Sequence, residues 1–240
     1  MKRKLLFVLL VFISLSTVKC FSQGQSAINY VDFTAGAAKY QGSFAFSFVH
    51  RWKFGAQQKL GIGLGARFTS YVAANQYYVT APAQLTSAST SPLIIFKDNI
   101  AANIDTFLIK SPQVNSINLC FNIDYAIGKK ITAGFNIDLI GFSFGGSESG
   151  NYINGAEGKM VSGTPTSFNI LLISDNDQGS LNSEFFLRYL LNEKWGVKFG
   201  AQFLFTEYTT QIKVQQFPEE NNRFRNKSLL ACIGVSYKLN

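Results

Sequence analysis

Residues able to do acid–base, nucleophilic or metal chemistry are sparse in this chain, and their spacing says more about where they stand than about what they transform. One histidine, His50, is present in 240 residues, so any mechanism needing an imidazole rests on it alone. It adjoins Arg51 and Trp52, which reads as an interfacial histidine beside an aromatic. Beyond the first 22 residues only Cys120 and Cys232 remain, and two distant cysteines with one histidine make no usual zinc set. Gly61, Gly63 and Gly65 put glycine at every second position, unlike a phosphate-binding loop. The expectation is a non-enzymatic protein with no metal and no cofactor.

The titratable residues that do share a pattern are charges of both signs at alternate positions. Asp32, Asp124, Asp138 and Glu184 fall on the same polar side as Arg51, Arg67, Arg188 and Lys198, so four acids are matched by four bases. Inside a narrow enclosure each unpaired charge would cost several kcal/mol, so pairing into a plug of salt bridges and hydrogen bonds is expected. An ion or solute path lined by the same charges is the alternative.

The elements that hold those charges must be strands. In Leu60–Thr69 every even position is apolar, while the odd positions are Gly, Arg or Thr. A period of two over that length gives a ribbon with two chemically different faces. Ile117, Leu119, Phe121, Ile123 and Tyr125 alternate likewise with Ser116, Asn118, Cys120, Asn122 and Asp124, and the segment from Ile131 repeats the pattern. The same count gives eight segments, at about 26–38, 42–53, 58–72, 113–127, 130–144, 180–192, 195–211 and 227–239. Tight turns join segments two and three, four and five, and six and seven, whereas long connections run over 73–112, 145–179 and 212–226.

Short links at one end and long links at the other resemble the outer-membrane plan. The predicted fold is all-β: a closed antiparallel eight-stranded up-and-down transmembrane β-barrel. Extra strands in the long connections would make ten. Alternation alone also suits a water-soluble barrel, but the polar positions are mostly Gly, Ser, Thr and Asn, which fill a narrow lumen better than they cover a wet surface. Exposing Phe44, Phe46, Phe48, Phe199, Phe203 and Phe205 to water would be costly at roughly 25 cal/mol per Å². Hydrocarbon removes that cost, and it demands a sheet without unpaired edges. Trp52 and Trp195 flank tight turns, where an aromatic girdle would sit.

Composition and charge agree. The chain is 47% hydrophobic and 15% charged, too apolar for disorder and short of charge for an ordinary soluble domain. Lys2, Arg3 and Lys4 precede an apolar run from Leu5 to Leu15, so residues 1–22 read as a secretory signal peptide with cleavage before Gln23. A lipidated Cys20 is the rival reading, with Lys19 a poor residue before it. Four of the 22 basic residues leave with that segment, so 18 remain against 14 acidic ones, a net of +4. Without a Lys/Arg cluster, nothing here points to nucleic acid. Residues 23–240 then form one barrel domain. Cys120 and Cys232 fall on opposite sides of it and are expected as free thiols.

Apolar runs interrupt the long connections. Leu93, Ile94, Ile95, Phe96, Phe107, Leu108, Phe168, Ile170, Leu171 and Leu172 suggest a partner surface. Strand extensions, or a hairpin over the barrel mouth, are the structural alternative.

The signal ending Phe21-Ser22-Gln23, the aromatic-rich alternating strands and the closing Ile233-Gly234-Val235-Ser236-Tyr237-Lys238-Leu239-Asn240 resemble small outer-membrane barrels of Bacteroidota, grouped as PorT-like or OmpX/OmpA-like. Such barrels usually end on an aromatic residue, whereas here Tyr237 is the nearest. The resemblance implies residence among the lipids of a Gram-negative outer membrane. PorT-like members of that group are associated with protein secretion across the outer membrane, whereas others have no known role. The expected function is a structural or partner-binding one through the extracellular loops, as an accessory subunit of a secretion or assembly complex. A narrow channel for small solutes or ions is the alternative function.

Overall fold

The computed structural model describes residues 27–91, 97–154, 157–172 and 176–239. The proposed signal peptide (1–22) and four members of the predicted partner surface, Leu93, Ile94, Ile95 and Phe96, lie outside the described residues.

The strands in chain order are β1 (Ala27–Ala38), β2 (Gln41–Phe54), β3 (Leu60–Ala73), β4 (Gln76–Thr80), β5 (Thr106–Ile109), β6 (Gln113–Ala126) and β7 (Ile131–Phe144). They continue as β8 (Glu148–Asn154), β9 (Glu157–Pro165), β10 (Phe168–Ile170), β11 (Leu181–Leu190), β12 (Trp195–Thr210) and β13 (Arg223–Lys238). A short helix α1 (Ala83–Ser87) follows β4. All thirteen strands belong to one antiparallel sheet. The expected count of eight, or ten, is therefore corrected to thirteen among the described residues. Stretches 73–112 and 145–179, expected as loops, carry β4, β5, β8, β9 and β10.

Closure comes from the eight long strands. β1 pairs with β2, β2 with β3, β3 with β6, β6 with β7, β7 with β11, β11 with β12, β12 with β13, and β13 with β1. A ring of pairs leaves no edge in the part of the molecule with the most apolar exterior. The residues between β2 and β3, β6 and β7, and β11 and β12 turn tightly at one end of this ring, the same end as Ala27 and Lys238.

β7 shows how one ring gives way to other pairings. Its lower half, Ile131–Ile137, pairs with Ser183–Tyr189 of β11, while Ile140–Phe142 pairs with β10. Between them Leu139 is an extra residue, because Leu119 faces Ile140 whereas Cys120 already faces Asp138. The bulge reverses parity, so Ile140, Phe142 and Phe144 carry on the outward apolar row that odd positions began.

The other short strands build a second, smaller ring above the first. β12 and β13 continue upward past it. Tyr208–Thr210 of β12 pairs with Gly163–Pro165 of β9, and Phe224–Arg225 of β13 with Val79–Thr80 of β4. β4 pairs with β5, β5 with β8, and β8 with β9, which completes a six-membered circuit. Each of its strands turns an apolar side chain inward: Tyr78, Phe107, Ile109, Tyr152, Val161, Tyr208 and Phe224 form one buried cluster with Val114 from the top of β6. Strands of this length do not persist alone; the shared core and the two shared strands hold them.

Outside the large ring the surface is greasy. Phe33, Phe44, Phe46 and Phe48 on β1 and β2, and Phe185, Phe199 and Phe203 on β11 and β12, are exposed, as are Leu64, Ile117, Leu119, Leu187, Leu229 and Ile233 on the strands between. Every strand of the large ring contributes an exposed apolar side chain, an exterior of the kind that marks a lipid- or partner-facing surface.

Candidate functional site: a charge-filled interior

Period-two geometry sends the polar face of every long strand to the axis, and there the eight charges meet. Asp32, Arg51, Arg67, Asp124, Asp138, Glu184, Arg188 and Lys198 are each no more than 2% exposed. They come from β1, β2, β3, β6, β7, β11 and β12, and β13 adds Ser236.

Pairing is extensive. Asp32 accepts from Arg188 at 3.2 Å, from Lys198 at 3.4 Å and from the Ser236 hydroxyl at 2.5 Å. Lys198 also lies 2.6 Å from Glu184, and Glu184 lies 3.8 Å from Arg67. Arg67 closes on Asp138 at 2.6 Å, and the second oxygen of Asp138 accepts from the Asn118 amide at 2.8 Å and the Asn182 backbone N–H at 2.9 Å. Arg51 pairs with Asp124, whose other oxygen accepts from Lys53 at 3.0 Å. The two groups of charges are joined by an aromatic ring: Tyr30 lies between the guanidinium groups of Arg51 at 3.8 Å and Arg188 at 4.5 Å. Lys53 was not foreseen as a member. Its parity could have revealed it, since it is the next odd residue after Arg51.

Above the charges the interior is filled by uncharged contacts. Ser43 on β2 donates to Gln202 on β12 at 2.6 Å. Over that layer Tyr71, Leu204 and Leu230 pack as a buried apolar cluster, followed by the core of the upper ring. A charge moving along the axis would have to leave its partners and then cross two buried apolar layers, each costly to an ion. Such an interior binds its own strands together.

Other predicted residues separate. Trp52 and Trp195 stand on the outer face at the tight-turn end, with Trp195 packed on Tyr237 at 4.6 Å and Trp52 edge-on to His50 at 4.7 Å. His50 Nδ1 contacts Asn29 Oδ1 at 2.7 Å, also at that end. Cys120 and Cys232 are free and buried. Among the loop residues offered as a partner surface, Phe107 is a correction: it is fully buried in the upper core, because its strand turns it inward. Leu108, Ile170 and Leu171 are half-buried, whereas Phe168 and Leu172 are exposed.

Sequence reasoning missed a second buried ion cluster at the junction of the two rings. Glu207, wholly buried, binds Arg223 at 2.7 Å and Arg225 at 2.8 Å, and Arg225 also donates to the Asp177 carbonyl. The signal was a charged residue at an odd position of β12, on the row occupied lower down by Phe199, Phe203 and Phe205. Nearby, Tyr152 donates to Asp105 at 2.5 Å, and burial, with that bond, pushes its phenol up to about 12.

Fold and interior together define the class: a closed antiparallel β-barrel, apolar outside and filled with paired charge inside. No family model matches the chain, and no curated protein sequence does. Solved structures similar to it include Neisserial surface protein A, 8% identical over 90% of this chain and 100% of that one, with a TM-score of 0.38. The N-terminal β-barrel domain of Pseudomonas aeruginosa OprF is 9% identical over the same shares, with a TM-score of 0.35. Ail of Yersinia pestis, solved with the heparin analogue sucrose octasulfate, is 6% identical over 90% and 100%, with a TM-score of 0.36. The barrel assignment rests on the strand pairings above.

Proposed function

We propose that this chain is an integral outer-membrane β-barrel with a sealed lumen, which works as a non-enzymatic structural or partner-binding component and not as a conduit. The observation that carries the reading is the juxtaposition of an apolar exterior with an interior in which all eight axial charges are paired. Lipid is the solvent that suits such an exterior. The small upper ring then stands outside the hydrocarbon as a preformed platform. Its outer side bears a groove lined by Met160, Ile212, Lys159 and Gln211, with Met160 and Ile212 exposed. A rigid platform with exposed apolar side chains is suited to docking another outer-membrane protein, in keeping with an accessory role in a secretion or assembly complex.

Planar-bilayer recording tests the sealed lumen. The purified protein is expected to give no steady current in 1 M KCl, whereas a steady current proportional to salt would establish the channel alternative. Met160→Asp is expected to release any partner that co-purifies in mild detergent without altering barrel folding.

A further inference from the structure

The fold sorts the charges of the chain by height. From residue 27 onward there are 18 basic and 14 acidic residues. The eight axial charges cancel. Among the described residues, the segments above the large ring carry eight basic residues (Lys39, Lys97, Lys110, Lys159, Lys213, Arg223, Arg225, Lys227) against eight acidic ones. The rim with the tight turns carries Lys53, Lys59, Lys129, Lys130, Lys194 and Lys238 against Glu193 alone. The whole positive excess is therefore at that rim, and only Lys53 is taken up by an interior carboxylate.

Three of these lysines converge. The β6–β7 turn meets the β11–β12 turn, with the Leu190 N–H donating to the Lys130 carbonyl at 2.8 Å, and Lys238 joins through its N–H to the Lys194 carbonyl at 2.7 Å. The result is a surface groove lined by Lys129, Lys130 and Lys238, with Leu190 and the exposed Leu191 as its apolar wall and Glu193 as its one acid. Lys130 also lies 5.9 Å from the Tyr189 ring, and Trp195 and Tyr237 stand on the same rim. Cations just beyond an aromatic belt occupy the level of lipid headgroups.

We propose that the Lys129–Lys130–Lys238 groove is a binding site for the phosphate headgroup of an anionic phospholipid in the leaflet at the tight-turn rim, with Leu190 and Leu191 against the start of its acyl chains. This inference rests on the membrane-barrel reading. An ammonium near a charged membrane surface contributes about 1 kcal/mol, and screening weakens it beyond about 10 Å at 0.1 M salt.

The two tryptophans of the chain both stand at this rim, so their fluorescence reports on it selectively. In vesicles of phosphatidylcholine, brominated phosphatidylglycerol is expected to quench Trp52 and Trp195 with an apparent affinity about fivefold above that of brominated phosphatidylcholine. The preference is expected to disappear in the Lys129→Gln/Lys130→Gln/Lys238→Gln variant and to survive in Lys159→Gln/Lys213→Gln, whose changes lie on the upper ring. Equal quenching by the two lipids, or a preference unchanged in the triple variant, would overturn the site. Absence of quenching by either lipid would instead overturn the membrane reading beneath it.

Discussion

Arg67 on β3 and Asp138 on β7 lie 2.6 Å apart although their strands are not neighbours in the sheet; β6 runs between them, and its Asn118 joins the same carboxylate. The pair thus ties three consecutive strands together from inside, where a broken pair leaves a charge with no water to turn to. Removal of one partner from such a pair costs about 3–5 kcal/mol. Asp138→Ala is expected to lower the urea midpoint of the vesicle-inserted barrel by a corresponding amount. Asp138→Asn, which keeps the shape and one acceptor, is expected to cost less.

The outward face of β11 is expected to be intolerant of charge. Phe185 lies mid-strand, paired with Phe135 and Ala201, and is 61% exposed. Phe185→Arg is expected to cost about 2–4 kcal/mol in unfolding from lipid. Asn136, one residue from Phe135, faces inward and accepts from the Asn122 amide at 2.5 Å, so Asn136→Ser removes a buried hydrogen bond and is expected to cost about 1–3 kcal/mol.

Two free thiols are expected. Cys120 on β6 and Cys232 on β13 stand four strands apart around the ring of eight. A thiol reagent is expected to find both in the unfolded, unreduced protein and neither within minutes in the folded barrel. A titration of the unfolded protein that found none would contradict the strand order.

The upper ring is expected to loosen in alkali before the large ring does. Tyr152 holds its proton more tightly in the fold, at about 12 against an ordinary 10, because of burial and its bond to Asp105. A raised acid pKa means the stabilisation is complete below pH 10 and declines as pH climbs toward 12. Protease cuts within 74–112 and 145–165 are expected to appear across that interval while the membrane-embedded strands stay protected. Tyr152→Phe is expected to shift the interval and to cost about 1–3 kcal/mol.

Phe107→Ala addresses the core of the same ring. Phe107 packs on Phe224 with ring centres 5.8 Å apart and is fully buried. Its truncation is expected to cost about 3–5 kcal/mol locally, seen as early proteolysis of the upper segments, with the thermal transition of the large ring nearly unchanged.

Much of this architecture was legible in the residues themselves. Alternation in Leu60–Thr69 and Asn115–Ile127 revealed the strands and their faces, since side-chain direction in a strand is a local property of period two. The inward placement of Asp32, Arg67, Glu184 and Lys198 followed from parity alone, and the long strands begin and end within about two residues of their expected limits, except that β13 starts at Arg223 rather than near 227. Which charge meets which was not legible, because Arg67 finds Asp138 only once the ring has closed and set the distances across it. The upper ring was hidden for the same reason: β4 and β5 are five and four residues long, too short for a period to show, and they exist as strands only because β13 overshoots the large ring and supplies an edge to β4, which in turn pairs with β5. Local side-chain chemistry chose the faces; long-range closure chose the partners.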